Sequence, residues 1–307
     1  MEKFNYPVYP LVPSFLENEE FDIDTSRKYI KYLDENGANV LMTTAGTSQY
    51  NLLTLEEIRT FNNIAGTSFS KKKILGLPPL STKALLKEIE LLNKKSYKNT
   101  FLMLLFPERY YHNNEIVEWA HSAADISDYP VFLHGMFMRK GTGGQFNYSA
   151  NLYNDIIKHS NIIGTKEETS DLALAFNVVE GIEKKDFNII VAGGTLRRFM
   201  FLNPAGANTF LSGVGSIFPE IEERFYNAHK QKDIDLCKYI ISAYETPLFN
   251  AFKTIGWHPS LRESLRIKGL CNYNRKPFAI LTNGEKKQIE DIVLKLETKY
   301  KSDSLFK

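Results

Sequence analysis

The sequence predicts an α/β fold: a (β/α)8 TIM barrel carrying a C-terminal helical appendage. Three observations predict it. Short apolar runs of strand character alternate with amphipathic helical stretches from the N-terminus onward, a pattern that calls for a parallel sheet covered by helices. About eight such units fill the first 225 residues, which favours a closed barrel over an open sheet. No GxGxxG follows the first strand, which counts against a dinucleotide-binding sheet. The length of 307 residues accommodates a barrel of about 250 with helices to spare.

Each element has a local reason. Residues 8–12 read as the first strand, with Pro7, Pro10 and Pro13 at its ends or at an irregular edge. Asp24 or Thr25 can cap a helix whose Tyr29, Ile30 and Leu33 share one face, and Gly37 stops it. Residues 38–43 are a second apolar strand, which runs into the loop TAGTSQYNLLT before Leu55-Glu56-Glu57 opens another helix. Strands follow at 73–77, 100–106, 131–134, 162–165, 187–192 and 209–212. Between them lie helical patterns at 82–95, 114–126, 149–159, 171–180 and 197–202. After Pro219 the strands cease, and 221–230, 234–244, 247–255, 261–267 and 285–300 all read as helices. No Pro/Gly/Ser-rich linker precedes this last third. Residues 1–225 are therefore expected to form the barrel and 226–307 an extension packed on it.

Composition narrows the function. A net charge of +2 suggests no polyanionic partner, so no nucleic acid is expected. The run Lys71-Lys72-Lys73 reads as the solvated end of a helix. Cys237 and Cys271 stand far apart and form no CxxC pair, and the histidines show no HExxH spacing, so no metal site is indicated. No apolar run reaches membrane-spanning length and no signal-peptide layout opens the chain, so a cytoplasmic location with no membrane partner is expected.

One stretch organises the chemistry. In NIIGTKEETSDL an apolar strand ends on Lys166. Ammonium groups are seldom buried unless paired, because loss of hydration penalises the charged form and frees the amine as a nucleophile toward carbonyl carbon. The plain alternative is a lysine that snorkels to the surface where its strand ends. Chemistry in a βα barrel sits at the C-terminal strand ends. Those ends carry Thr43, Thr44 and the loop Gly46-Thr47-Ser48, then Glu108 to Tyr111, His134, Lys166, Gly193-Gly194, and Ser212-Gly213. That set offers one amine, one imidazole, hydroxyls and glycine-rich turns able to hold an anion, and no carboxylate cluster suited to a divalent metal. Its natural reaction is imine formation between Lys166 and a 2-oxo acid, with no cofactor implied.

These residues carry a family resemblance. GTKEETSDL resembles the segment G-x-K-(E/D)-x-(S/T)-G-(D/N) of the dihydrodipicolinate synthase / N-acetylneuraminate lyase family, the imine-forming class I aldolases. AGTSQYNLLTLEE resembles that family's loop after the second strand, TFLSGVGSIFPE its eighth strand, and HGMFMRKG the place of its Y-N-x-P-x-x-x-G. The resemblance spans nearly the whole chain, and the lysine segment and eighth strand are its more specific parts. It implies a lyase acting on pyruvate or a related 2-oxo acid, in some cases with an aldehyde, and a homotetramer or homodimer. It places the imine lysine on Lys166. The family's strand-five tyrosine falls on His134, the loop glutamate on Gln49 and its preceding glycine on Ser48. Only Thr47 of two adjacent hydroxyl residues is kept. No clean match exists for the tyrosine that a neighbouring subunit supplies, although Tyr110 or Tyr111 can stand in after a shift.

Several of these residues have two readings. His134 is either an acid/base in place of the tyrosine or a strand-end histidine bonded to a carbonyl. Arg139 lies where the family's synthases hold a second substrate's carboxylate, a task suited to a guanidinium, or it is a surface-loop arginine. Thr47 and the Ser48 N–H are candidates for the 2-oxo acid's carboxylate, or form a turn bonded to itself. Ser212 and Gly213 line the pocket beside Lys166 or close-pack the barrel end, and Tyr110 is either a site residue or interface packing. A rival function is a paralogue that binds a 2-oxo acid without turnover.

Overall fold

Strands form where the chain offers short buried apolar runs, and most of them pair in parallel. The computed structural model describes residues 3–43, 46–107, 109–110, 112–136, 138–140, 145–146, 148–194, 196–211, 213–278 and 280–306, with backbone alone at 138–140 and 145–146. In chain order the strands are β1 (Val8–Pro10), β2 (Val40–Met42), β3 (Lys72–Leu77), β4 (Thr100–Leu104), β5 (Arg109–Tyr110), β6 (Val131–Gly135), β7 (Met138–Lys140), β8 (Gln145–Phe146), β9 (Ile162–Glu167), β10 (Asn188–Val191) and β11 (Thr209–Phe210). One sheet has the order β1-β2-β3-β4-β6-β9-β10-β11. Val8 also bridges Leu211 in parallel, so this sheet closes on itself.

A helix follows every strand of that sheet: α1 (Ile23–Glu35), α2 (Leu55–Ser68), α3 (Thr82–Asn93), α4 (Asn113–Ile126), α5 (Ala150–Ile156), α6 (Leu172–Glu180), α7 (Leu196–Leu202) and α8 (Pro219–Lys230). The fold is thus the expected (β/α)8 barrel. Four helices come after it: α9 (Ile234–Ile240), α10 (Thr246–Ile255), α11 (Trp257–Ile267) and α12 (Asn283–Ser302). Among the described residues, no helix is long and apolar enough to cross a membrane.

Contacts divide the chain into two units. The first comprises Met1–Val8, Asn39–Thr44 and Ala65–Ser212. Its interior is floored by aromatic rings: Phe4 packs edge-on to Phe101 at 5.0 Å and against Phe132 at 5.3 Å between centroids. The Phe4 N–H donates to Asn188 Oδ1 at 2.7 Å. Phe132 lies across Gly164, where an added Cβ would stand 2.3 Å from the ring. The sequence pattern did not anticipate a second, three-stranded sheet here, in which β5 pairs in parallel with β7 and β7 antiparallel with β8.

The lysine run corrects one expectation. Lys72 and Lys73 open β3 instead of closing a helix in solvent. Lys73 is buried, and its Nζ donates to Phe69 O at 2.8 Å. That carbonyl lies just past the end of α2, where unpaired carbonyls attract a cation. Burial holds the Lys73 amine below its ordinary range.

The second unit comprises Tyr9–Ala38, Ala45–Ile64 and Gly213–Lys307. The cap of α1 is Asp22 rather than Asp24 or Thr25: its carboxylate accepts from Thr25 N at 3.0 Å and from Asn272 Nδ2 at 2.7 Å. Tyr29, Ile30 and Leu33 are buried along one face of that helix, as their spacing requires. Arg262 is buried and fully engaged, donating to Pro13 O at 2.6 Å, Tyr273 O at 2.6 Å and Gln49 Oε1 at 3.1 Å, and to Asn274 Oδ1. Two helices expected at 234–244 and 247–255 run together through a single π-helical turn, Ile241–Glu245. Pro247, which has no N–H to donate, lies directly after that turn in the first turn of α10.

Candidate active site

Register decides which side chains meet at the end of β9. The β6–β9 ladder pairs Val131 with Ile162, then Phe132 with Gly164, so β9 carries one extra residue, Ile163, at that step. The pairing that results sets His134 directly opposite Lys166. Without the shift His134 would oppose Thr165, and the two functional side chains would emerge on opposite faces of the sheet.

Alternation along β9 then sorts its polar residues onto two faces. Thr165 and Glu167 point toward the helices. Thr165 Oγ1 donates to Leu133 O at 3.0 Å and lies 2.8 Å from the Tyr153 hydroxyl of α5. Glu167 Oε2 accepts from Arg198 Nη2 of α7 at 2.7 Å, in a pair whose side chains are only 2% and 6% exposed. Its other oxygen accepts from Thr169 N at 2.8 Å, and Arg198 also donates to Thr169 O. Both sides of the backbone beyond Lys166 are therefore clamped by a buried ion pair.

Lys166 and Glu168 share the opposite face with His134. Lys166 Nζ lies 2.7 Å from His134 Nε2 and 2.5 Å from Glu168 Oε2, and the imidazole nitrogen lies 2.6 Å from the same carboxylate oxygen. The lysine and histidine residues are each 2% exposed, whereas the Glu168 side chain is 33% exposed. Three atoms in mutual contact form a proton-sharing triangle. Burial, and next the charge of Lys166, hold the His134 imidazole below its ordinary pKa, with Glu168 opposing them. The ring is thus uncharged at neutral pH. Burial alone would raise Glu168, but Lys166 and His134 outweigh it and hold the carboxyl well below the usual carboxylate range. Among the described residues His134 Nδ1 has no hydrogen-bond partner, so the ring's polar contacts all converge on Nε2.

Of the residues named from the sequence, Lys166 and His134 are brought together. Tyr110 is buried in the small sheet, edge-on to Phe106 at 6.2 Å, and burial raises its hydroxyl pKa. Arg139 pairs in register with Arg109 in that same sheet, and its side chain lies outside the described residues, as do Ser212, Tyr111 and the loop 141–144. Thr47, Ser48 and Gly213 belong to the second unit. Thr47 and Ser48 form one 3-10 turn, and the Ser48 hydroxyl is buried without a hydrogen-bond partner among the described residues. Gly213 abuts Trp257, whose ring would lie 2.5 Å from an added Cβ.

Sequence reasoning missed Glu168. The strand was expected to end at Thr165, with polar loop residues after Lys166. It runs to Glu167 instead, and the same alternation carries residue 168 back to the face of residue 166. A period-two reading extended through KEE would have found it.

The dihydrodipicolinate synthetase family profile matches residues 3–296. The 4-hydroxy-tetrahydrodipicolinate synthase of Karelsulcia muelleri is 24% identical over 287 residues, covering 91% of this chain and 93% of that protein. An uncharacterized DapA-like lyase of Pyrococcus horikoshii is 22% identical over 231 residues, covering 74% of this chain and 77% of that one. The crystal structure of dihydrodipicolinate synthase from Oceanobacillus iheyensis aligns with a TM-score of 0.82 at 17% identity, over 96% of this chain and 97% of that one. At that identity the likeness concerns the fold.

Proposed function

Because this chain belongs to the dihydrodipicolinate synthetase family, we propose that it is a lyase of the imine-forming aldolase type. Lys166 condenses with pyruvate or a related 2-oxo acid, and a carbon–carbon bond is then made or cleaved at the carbon beside the imine. One observation carries this reading: a buried Nζ 2.7 Å from an imidazole nitrogen, on adjacent strand ends of the barrel.

The chemistry needs a proton carrier at the amine. Nζ attacks the ketone carbon, the carbonyl oxygen becomes a hydroxyl, and that hydroxyl must depart as water. Counting from the lysine ammonium, an uncharged His134 takes two protons from Nζ in turn, one before the attack and one after it, and passes both to the departing oxygen; the iminium keeps the third and the ring is restored. In this role the imidazole replaces the tyrosine hydroxyl that the family resemblance places at residue 134. The iminium then acts as an electron sink for bond making or breaking at the next carbon.

Borohydride trapping tests the reading. The protein is incubated with pyruvate and with other 2-oxo acids, reduced, and digested for mass spectrometry. The expected result is a reduced adduct on Lys166. No adduct with any 2-oxo acid would remove the imine. The replacement of tyrosine by His134 favours one second reading, a paralogue that binds a 2-oxo acid without turnover. Labelling on Lys166 with no reaction across a panel of aldehydes would select it.

A further inference from the structure

The geometry points to Glu168 as the catalytic base that removes, and the acid that returns, the proton on the carbon next to the imine. This assignment rests on the imine reading above and deepens it. The family segment is open at this position, G-x-K-(E/D)-x-(S/T)-G, so no role for residue 168 comes with the resemblance.

Four observations support it. Glu168 Oε2 touches the reacting nitrogen at 2.5 Å, and the carbon to be deprotonated stands two bonds from that nitrogen once the imine has formed. Its side chain is a third exposed while Lys166 and His134 are sealed, so the carboxylate approaches Nζ from the side open to an incoming molecule. The end of β10 makes room for it. Gly193 has φ +68°, and a Cβ there would stand 2.7 Å from Glu168 Cγ, so this glycine serves both the backbone conformation and the acid's side chain. Finally, the flanking residues are immobilised: Glu167 is paired with Arg198, and Thr169 is bonded through both its N–H and its carbonyl.

The step balances within the site. Glu168 Oε2 takes the proton from C3 of the pyruvate iminium. The C3–H electron pair becomes the C2=C3 bond, and the C=N π pair moves onto Nζ. The products are a neutral enamine and a protonated Glu168. In reverse, the carboxylic acid returns a proton to C3. The division of labour follows: His134 serves the nitrogen and the departing oxygen, and Glu168 serves the carbon.

The test needs no second substrate. Pyruvate is incubated with the protein in deuterium oxide, and methyl proton loss is followed by NMR beside borohydride trapping on Lys166. The unaltered protein should do both. Glu168→Gln should trap within about tenfold of the unaltered protein while methyl exchange falls about 100-fold or more. Glu168→Asp, which keeps the acid but withdraws it by one methylene, should recover part of the exchange. Unchanged exchange in Glu168→Gln with trapping intact overturns the Glu168 assignment and leaves the imine standing. Faster trapping and faster exchange would make Glu168 a restraint on Lys166 instead, and a parallel loss of both would move its role to imine formation; either result overturns the assignment. Absence of trapping in the unaltered protein removes the imine reading and this one with it.

Discussion

Arg198→Met should expose how strongly the buried ion pair behind Lys166 holds the end of β9. Glu167 and Arg198 are almost wholly removed from solvent, at 2% and 6% side-chain exposure, and their closest atoms are 2.7 Å apart. Removing one partner of such a pair costs about 3–5 kcal/mol, because the remaining charge is buried alone. Glu167 Oε1 keeps its bond from Thr169 N, and methionine refills much of the aliphatic volume. The pair itself should therefore contribute about 3 kcal/mol, the lower end of that range. Thr169 O loses its guanidinium donor as well, adding about 1 kcal/mol. The total is about 4 kcal/mol, a large share of an ordinary domain's stability. Adding Glu167→Gln removes the stranded charge and should recover about half of the loss. Urea unfolding followed by far-ultraviolet circular dichroism on the unaltered protein, both single variants and the double variant reads these values directly. A cost below about 1 kcal/mol for Arg198→Met, or a double variant less stable than that single one, would refute the claim that a desolvated carboxylate depends on this arginine.

Other outcomes follow from the same geometry. Gly164→Ala places a Cβ 2.3 Å from the Phe132 ring and 2.7 Å from the Asn188 carbonyl. It should lower stability by about 3 kcal/mol, since a backbone oxygen cannot swing aside, and an unchanged thermal midpoint would rule the contact out. His134→Phe should leave borohydride trapping partly intact and slow turnover about 100-fold or more, whereas unchanged turnover excludes His134 as the acid/base. Stability should fall in acid in two stages. His134 titrates lower in the folded chain than its ordinary 6.5, so the unfolded chain binds the proton first and stability is lost as pH drops below about 6.5. Glu168 is likewise depressed, so its contribution, complete above its ordinary 4.5, is lost as pH falls below that value toward its folded pKa. In urea titrations His134→Phe should remove the upper stage and Glu168→Gln the lower, and identical pH profiles for all three proteins would contradict both shifts.

Much of the barrel was legible because its strands are buried on both faces and therefore appear as short apolar runs between helical patterns. Lys166 and His134 were legible for a related reason: each is a polar residue at the end of such a run. What escaped was carried by contacts rather than by periodicity. Strands as short as β5 and β8, two residues each, have no period to detect, so the small sheet was missed. Glu167 and Arg198 are buried only because they meet each other across 31 residues of chain. The Asp22 cap draws on Asn272, 250 residues away. Glu168 was hidden by a boundary error, since a strand judged to end at Thr165 leaves no alternation to extend.

The extra residue in β9 has a bearing on how related chains are to be compared. Deleting Ile163 would only take the bulge out and keep His134 opposite Lys166, whereas deleting Leu133 from β6 would leave the letters GTKEE intact yet set His134 opposite Thr165, on the other face of the sheet from Lys166. A chain can thus keep the GTKEE segment and still lack an imidazole beside its lysine. Counting residues from the first paired position of β6 separates such a chain from this one, where matching the motif alone does not.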